Sequence, residues 1–128
     1  MEDLLMWLYD YCFKYKIGIA FISYMNPKDP SVCYKWPRLI IYNEKWYDSN
    51  EKPFILAHEI GHIINGDPVC YSHDYNNINK SESIANKFAI RLLKQYCYET
   101  DIEFESKYQF AETFGIPRRF YYLLDDVA

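Results

Sequence analysis

The stretch that most constrains this chain is Phe54 to Ile64, which reads FILAHEIGHII. Apart from His58, Glu59 and His62, every side chain in those eleven residues is apolar or absent. A helix that is apolar nearly all round has to be buried. Burying a carboxylate and two imidazoles without partners costs several kcal/mol, so the three polar groups need something to bind them together. A metal ion does this.

The spacing supports the same reading. Positions i and i+4 lie one turn apart on one helix face, so His58 and His62 can direct ring nitrogens at a single ion. Glu59 sits on the flank, where it can take a proton from an attacking water without being a ligand. His58-Glu59-Ile60-Gly61-His62 is therefore an HExxH motif, the pattern of metal-dependent peptidases with the glutamate as general base. Gly61 removes a side chain beside the site and leaves room for facing backbone or substrate. Pro53 suits the first turn and Gly66 the stop, so the spacing predicts a helix over 53–65.

Zinc asks for a third protein ligand and an open position. A third histidine six residues past the second, after a glycine, is one known solution. Here those positions hold Pro68 and Asn65, which removes it. The other solution is a carboxylate from the next helix, predicted to run from a Ser81 cap to about Tyr96, with Glu82 its first acid. Glu82, Ala85, Asn86 and Ala89 share a face by their spacing, and the two alanines permit close helix approach. An acid in a first helical turn is equally well explained as a solvated side chain favoured by the helix dipole. Spacing leaves both readings of Glu82 open. His73, in the polar loop 67–80, reads either as a surface residue or as a stabiliser of a reaction oxyanion, a role for which Tyr71 competes. Asp67 and Asn86 could orient the ligand imidazoles, or could be plain exposed polar residues. Two histidines and a glutamate suit zinc best, while manganese or iron could occupy the same ligands.

The rest of the chain gives an outline. Leu4, Leu8, Tyr11, Cys12 and Tyr15 have the spacing of an amphipathic helix over 3–16, closed by Gly18. Strands are predicted over 19–24, 32–35 and 38–42, with a turn-rich loop at 26–31 and an interruption at Trp36-Pro37. The tail, 107–124, reads as two short helices broken at Gly115, with Pro117 opening the second. Three strands before a run of helices point to an α+β fold with one small antiparallel sheet, in a single domain spanning 1–128.

The balance of 14 basic and 18 acidic residues, net −4, argues against direct nucleic-acid binding through bulk charge. Ala111 and Gly115 echo a helix-turn-helix spacing, but Asp125-Asp126 and the acidic balance oppose that use. No segment approaches the roughly 20 apolar residues that span a bilayer. Glu2 and Asp3 at the start are unlike a signal peptide, so the expected location is the cytoplasm. Cys12, Cys33, Cys70 and Cys97 then read as reduced, buried small hydrophobes. Cys70 near His73 is the one local arrangement resembling a nucleophile and its base. Fourteen tyrosines in 128 residues are read as a Tyr-rich core rather than a recognition surface.

Taken together, His58-Glu59-x-x-His62, then Glu82-x-x-Ala85-Asn86-x-Phe88-Ala89 and Leu92-Leu93, resemble the ImmA/IrrE family of metallo-endopeptidases. The order of parts is similar too: an N-terminal helix, GIAFI, strands ending in RLIIYN, the metal helix, and a tail reading FAETFGIPRRFYYLL. The resemblance implies a compact zincin-like fold, ligands His58, His62 and Glu82, and catalytic Glu59. It implies a phage or integrative element as carrier. It also implies cleavage or inactivation of a helix-turn-helix transcriptional repressor, so that the chain acts as an anti-repressor. In zincins generally an edge strand beside the metal helix holds the substrate extended. Here that strand would be Arg38 to Tyr42, binding by strand addition. The competing reading is an anti-repressor that works by binding alone, with a structural metal and an aromatic contact surface. The sequence leaves the oligomeric state open.

Overall fold

A computed structural model describes residues 2–66, 69–71 and 80–126. The order of elements is α1 (Glu2–Lys14), β1 (Gly18–Ile22), β2 (Val32–Tyr34), β3 (Leu39–Asn43), α2 (Lys52–Asn65), β4 (Val69–Tyr71), α3 (Lys80–Glu99) and α4 (Lys107–Thr113). Two 3₁₀ segments, Ser49–Glu51 and Arg118–Asp126, precede α2 and follow α4. The class is mixed α+β, as the run of strands before helices implied.

The first helix stops sooner than its apolar spacing suggests. Lys16 takes a left-handed conformation, and the Ile17 amide turns back to donate to the Cys12 carbonyl at 2.8 Å. Gly18 is therefore the first residue of β1 rather than the helix stop. Leu4, Leu8 and Cys12 form the buried stripe of α1.

The expected antiparallel sheet is in fact mixed. Its order is β1-β3-β2-β4, with β1 parallel to β3 and both β2–β3 and β2–β4 antiparallel. The cause lies in the connection from β1 to β2. Asn43, at the end of β3 and fully buried, donates its side-chain amide to the carbonyls of Asn26 (3.0 Å) and Asp29 (2.7 Å). Its backbone N–H donates to Ser31 Oγ at 2.9 Å. These bonds clasp the loop against the end of β3, and β3 lies between β1 and β2 instead of outside them. Arg38 to Tyr42 is thus an interior strand with no edge to offer a substrate. The edges are β1 and β4.

Helix α2 starts with Pro53 in its first turn and ends at Gly66, whose left-handed φ of +81° lets its N–H cap the carbonyls of His62 and Ile63. Every residue from Pro53 to Ile63 is buried, as the all-round apolar pattern requires. Helix α3 starts at Lys80, so Ser81 lies inside its first turn. Its buried face, Ala85, Asn86, Ala89, Ile90, Leu92 and Leu93, packs along α2. Close approach is set by Gly61: a Cβ there would stand 3.0 Å from Phe88 Cδ1 and 3.2 Å from the Ala85 carbonyl. The room left by Gly61 is therefore filled by the facing helix.

In the tail, Ser106 caps α4 by accepting from the Gln109 amide at 3.1 Å. Gly115, at φ +70°, then lets the backbone run against Asn50, where a Cβ would overlap the Asn50 carbonyl. Pro117 leads into a 3₁₀ segment rather than a second α-helix. Phe110, Phe114, Ile116, Phe120, Leu123 and Leu124 join the central apolar cluster with α2 and α3.

The tyrosines do not make this core. Among the described residues only Tyr42 and Tyr96 are buried, while Tyr15, Tyr24, Tyr47, Tyr98, Tyr108 and Tyr122 are exposed. A phenol hydroxyl is costly to bury without a partner, and an apolar body with a wet tip belongs near the surface. Cys12, Cys33 and Cys97 are buried thiols, as expected. Among the described residues no helix is long and apolar enough to cross a membrane.

Candidate metal centre

Two helices build the site. His58 and His62 project from one face of α2, and their Nε2 atoms stand 3.0 Å apart. From the first turn of α3, Glu82 reaches across with Oε2 2.9 Å from His58 Nε2 and Oε1 3.1 Å from His62 Nε2. The two imidazoles are buried, and the glutamate side chain retains 18% exposure. Of the two readings left open for Glu82, the geometry supports the one that turns it to the histidines.

Donor atoms of a tetrahedral zinc at about 2.0–2.1 Å lie roughly 3.3–3.4 Å from one another. The three separations observed fall a few tenths of an ångström short of those edges. His58, His62 and Glu82 each offer one ligand atom to a common point, so the residues fit a divalent ion. The hydrogen bonding fits as well. His58 Nδ1 lies 2.7 Å from Asn86 Oδ1. An amide oxygen only accepts, so Nδ1 carries the proton and Nε2 presents its lone pair to the centre.

Burial alone would raise the pKa of the Glu82 carboxyl. The facing His58 and His62 outweigh it and hold the group down at about 2. Glu82 is therefore an anion across the physiological range, the state a ligand carboxylate requires. Glu59, next to His58 on α2, is wholly buried.

The structure brings His58, His62, Glu82 and Asn86 into one locus, with Glu59 buried next to His58 along α2. Asn86 is one of the two residues proposed to orient an imidazole, and the plainer reading of it as an exposed amide does not hold: it is buried and bonded to a ligand histidine. Its partner in that expectation, Asp67, lies outside the described residues, and so does His73. Tyr71 is placed only as a backbone position in β4. The suggested pairing of Cys70 with His73 likewise falls outside what is described.

Sequence reasoning passed over one neighbour. The Phe54 ring, one turn before His58, has its centroid 6.3 Å from the imidazole and stacks on Phe120 at 5.9 Å. The i, i+4 step from Phe54 to His58 was the available signal, masked by the uniformly apolar helix around it.

No family model, curated protein or solved structure matches the chain.

Proposed function

We propose that this chain is a metal-dependent endopeptidase, with zinc as its ion and a helix-turn-helix transcriptional repressor as its substrate. The observation that carries the peptidase reading is the convergence of His58, His62 and Glu82 within 3.1 Å of one another beside a buried, non-ligand Glu59. A purely structural site gains nothing from a buried acid that is not a ligand. The repressor as substrate rests on the resemblance of the HExxH helix and the following helix to the ImmA/IrrE endopeptidases, and so does a cytoplasmic place of action.

A divalent ion held by these ligands would supply Lewis acidity, polarising the scissile carbonyl and lowering the pKa of water. The protein's own residues do the rest. Glu59 takes a proton from the attacking water and returns it to the leaving amine. Asn86 holds His58 in the tautomer that keeps Nε2 unprotonated. The apolar wall of α2 and α3 keeps bulk water from the reacting groups.

Metal content by mass spectrometry comes first, on wild type, His62→Ala and Glu82→Ala. One zinc per wild-type chain and loss from both variants is the expected result. Zinc-loaded protein is then incubated with a proteome-derived peptide library. Glu59→Gln should keep the metal while cleavage falls by about 10²–10⁴-fold. Cleavage at the wild-type rate by that variant would sink the mechanism. Repressor inactivation that survives Glu59→Gln would mean an anti-repressor acting by binding alone.

A further inference from the structure

Strands β1 and β3 are parallel and start together, with Gly18 beside Leu39. The turn that leads from α1 into β1 and the turn 35–38 that joins β2 to β3 therefore emerge at the same end of the sheet. Arg38 fastens one to the other. Its Nη2 donates to the Tyr15 carbonyl at 2.8 Å and its Nε to the Lys16 carbonyl at 3.4 Å, while the Gly18 amide donates to the Arg38 carbonyl at 2.8 Å. Lys16 and Arg38 both hold left-handed backbone, at φ +60° and +64°. Such a conformation persists in residues with a Cβ only where the surroundings hold it, so this end of the molecule is a fixed platform.

The platform carries bare rings and cations. Phe13 and Trp36 stand 88% and 85% exposed, and Tyr15 is 41% exposed. Lys14, Lys16 and Lys35 are exposed next to them along the chain, and Arg38 is half-buried. No acid occurs from Tyr11 to Lys28 or from Pro30 to Asn43, so the eighteen carboxylates of this net-acidic chain lie on other segments. The nearest along α1 is Asp10, one turn before Lys14. We propose that this pole is a docking surface for an anionic lipid bilayer. Lys14, Lys16, Lys35 and Arg38 face the headgroups, and Phe13 and Trp36 press into the interface.

Charge complementarity selects an anionic partner, and shape selects a bilayer over a nucleic acid. Rings as exposed as Phe13 and Trp36 have no wall beside them, so the pole is convex. A single-stranded nucleic acid is held in a basic groove that tracks its backbone. A bilayer needs no groove, because its interface yields to a protruding ring, and tryptophan gathers there through its amphipathic indole. Each basic side chain near an anionic surface adds about fivefold to the affinity. The two rings supply apolar area that charge alone lacks. The binding is reversible and fades as salt screens the headgroups. It uses no residue of the metal centre and does not rest on the peptidase reading.

The test is co-sedimentation of the full chain with vesicles of phosphatidylcholine, alone or with one-third phosphatidylserine, at low and at physiological salt. The chain should pellet with the phosphatidylserine vesicles and stay in solution with phosphatidylcholine alone. Lys14→Glu combined with Lys35→Glu should lower the affinity by more than about tenfold. Phe13→Ser combined with Trp36→Ser should weaken binding too, while leaving its salt dependence in place. All four side chains are exposed, so the circular dichroism of both variants should match wild type. Tryptophan emission should shift to the blue on binding, and that shift should be missing from Trp36→Phe, which keeps a ring at the interface. No binding to the phosphatidylserine vesicles would overturn the proposal. So would equal binding to both kinds of vesicle, or binding by both double variants at the wild-type level. A single-stranded oligonucleotide held more tightly than the vesicles would mark a nucleic-acid surface and overturn it as well.

Discussion

Asn86 on α3 and His58 on α2 are joined by a 2.7 Å hydrogen bond, one helical turn along from Glu82, which reaches to the same imidazole. A single face of α3 thus supplies both a carboxylate for the centre and the amide that orients its neighbouring ligand. The two contacts address opposite nitrogens of one ring, Nδ1 and Nε2, and so fix both its tautomer and its rotation.

Replacing Asn86 by Leu should leave the fold intact, because the site is buried and the substitution is close to isosteric. Zinc affinity should fall by about 10–100-fold, the usual effect of losing a partner that orients a ligand. Competition with a chromophoric chelator measures this directly. An affinity equal to wild type would mean that the hydrogen bond does not position the ring.

Gly61→Ala should push the two helices apart. The new methyl would stand 3.0 and 3.1 Å from the Phe88 side chain and 3.2 Å from the Ala85 carbonyl, and backbone cannot swing aside as a flexible side chain can. Overpacking of this kind costs about 1–3 kcal/mol. Urea unfolding of the metal-free protein should show that loss. Zinc binding should weaken in parallel, because Glu82 moves with α3. Unchanged urea stability would show that α3 can shift without penalty.

Alkali should destabilise the protein earlier than its composition suggests. Burial pushes the Cys12 thiol up from 9.0 to about 12, and burial followed by the Tyr15 hydroxyl pushes Tyr11 up from 10.0 to about 12. Both groups are kept neutral by the fold, so their contribution is complete below pH 9. The unfolded chain ionises first as the pH climbs, and stability drains away between about pH 9 and 12. Thermal melts of the metal-free protein should therefore be flat from pH 7 to 9 and fall by several degrees per pH unit beyond. Cys12→Ala should make that fall shallower. In the native state at pH 8, Cys12 should also resist Ellman's reagent until denaturant is added.

The helical half of the fold was legible because its signals are local. An apolar run bounded by Pro53 and Gly66, and a stripe from Ala85 to Leu93, depend only on neighbours within a turn or two. The pairing of His58 with His62 is of that kind. Glu82 needed more: its spacing fits a ligand and a solvated acid alike, and only the packing of α3 on α2 separates them. Sheet order was not legible at all. It hangs on Asn43 reaching back to the carbonyls of Asn26 and Asp29, bonds between residues more than a dozen apart that leave no periodic trace. Nor did composition place the tyrosines. A count says how many rings there are, but the cost of burying a hydroxyl left only Tyr42 and Tyr96 buried among the described ones.

The contact between Gly115 and Asn50, with the stacking of Phe120 on Phe54, has a consequence for the order in which the molecule comes into being. A ribosome delivers α2 long before it delivers residues 110–124. Until those residues emerge, the opening turn of α2 is a greasy flank with nothing to lie against. The histidines are thus made early, on a helix that stays half-covered until the tail arrives. Maturation of the centre is timed by the arrival of residues 110–124, not by the synthesis of the helix that carries its histidines.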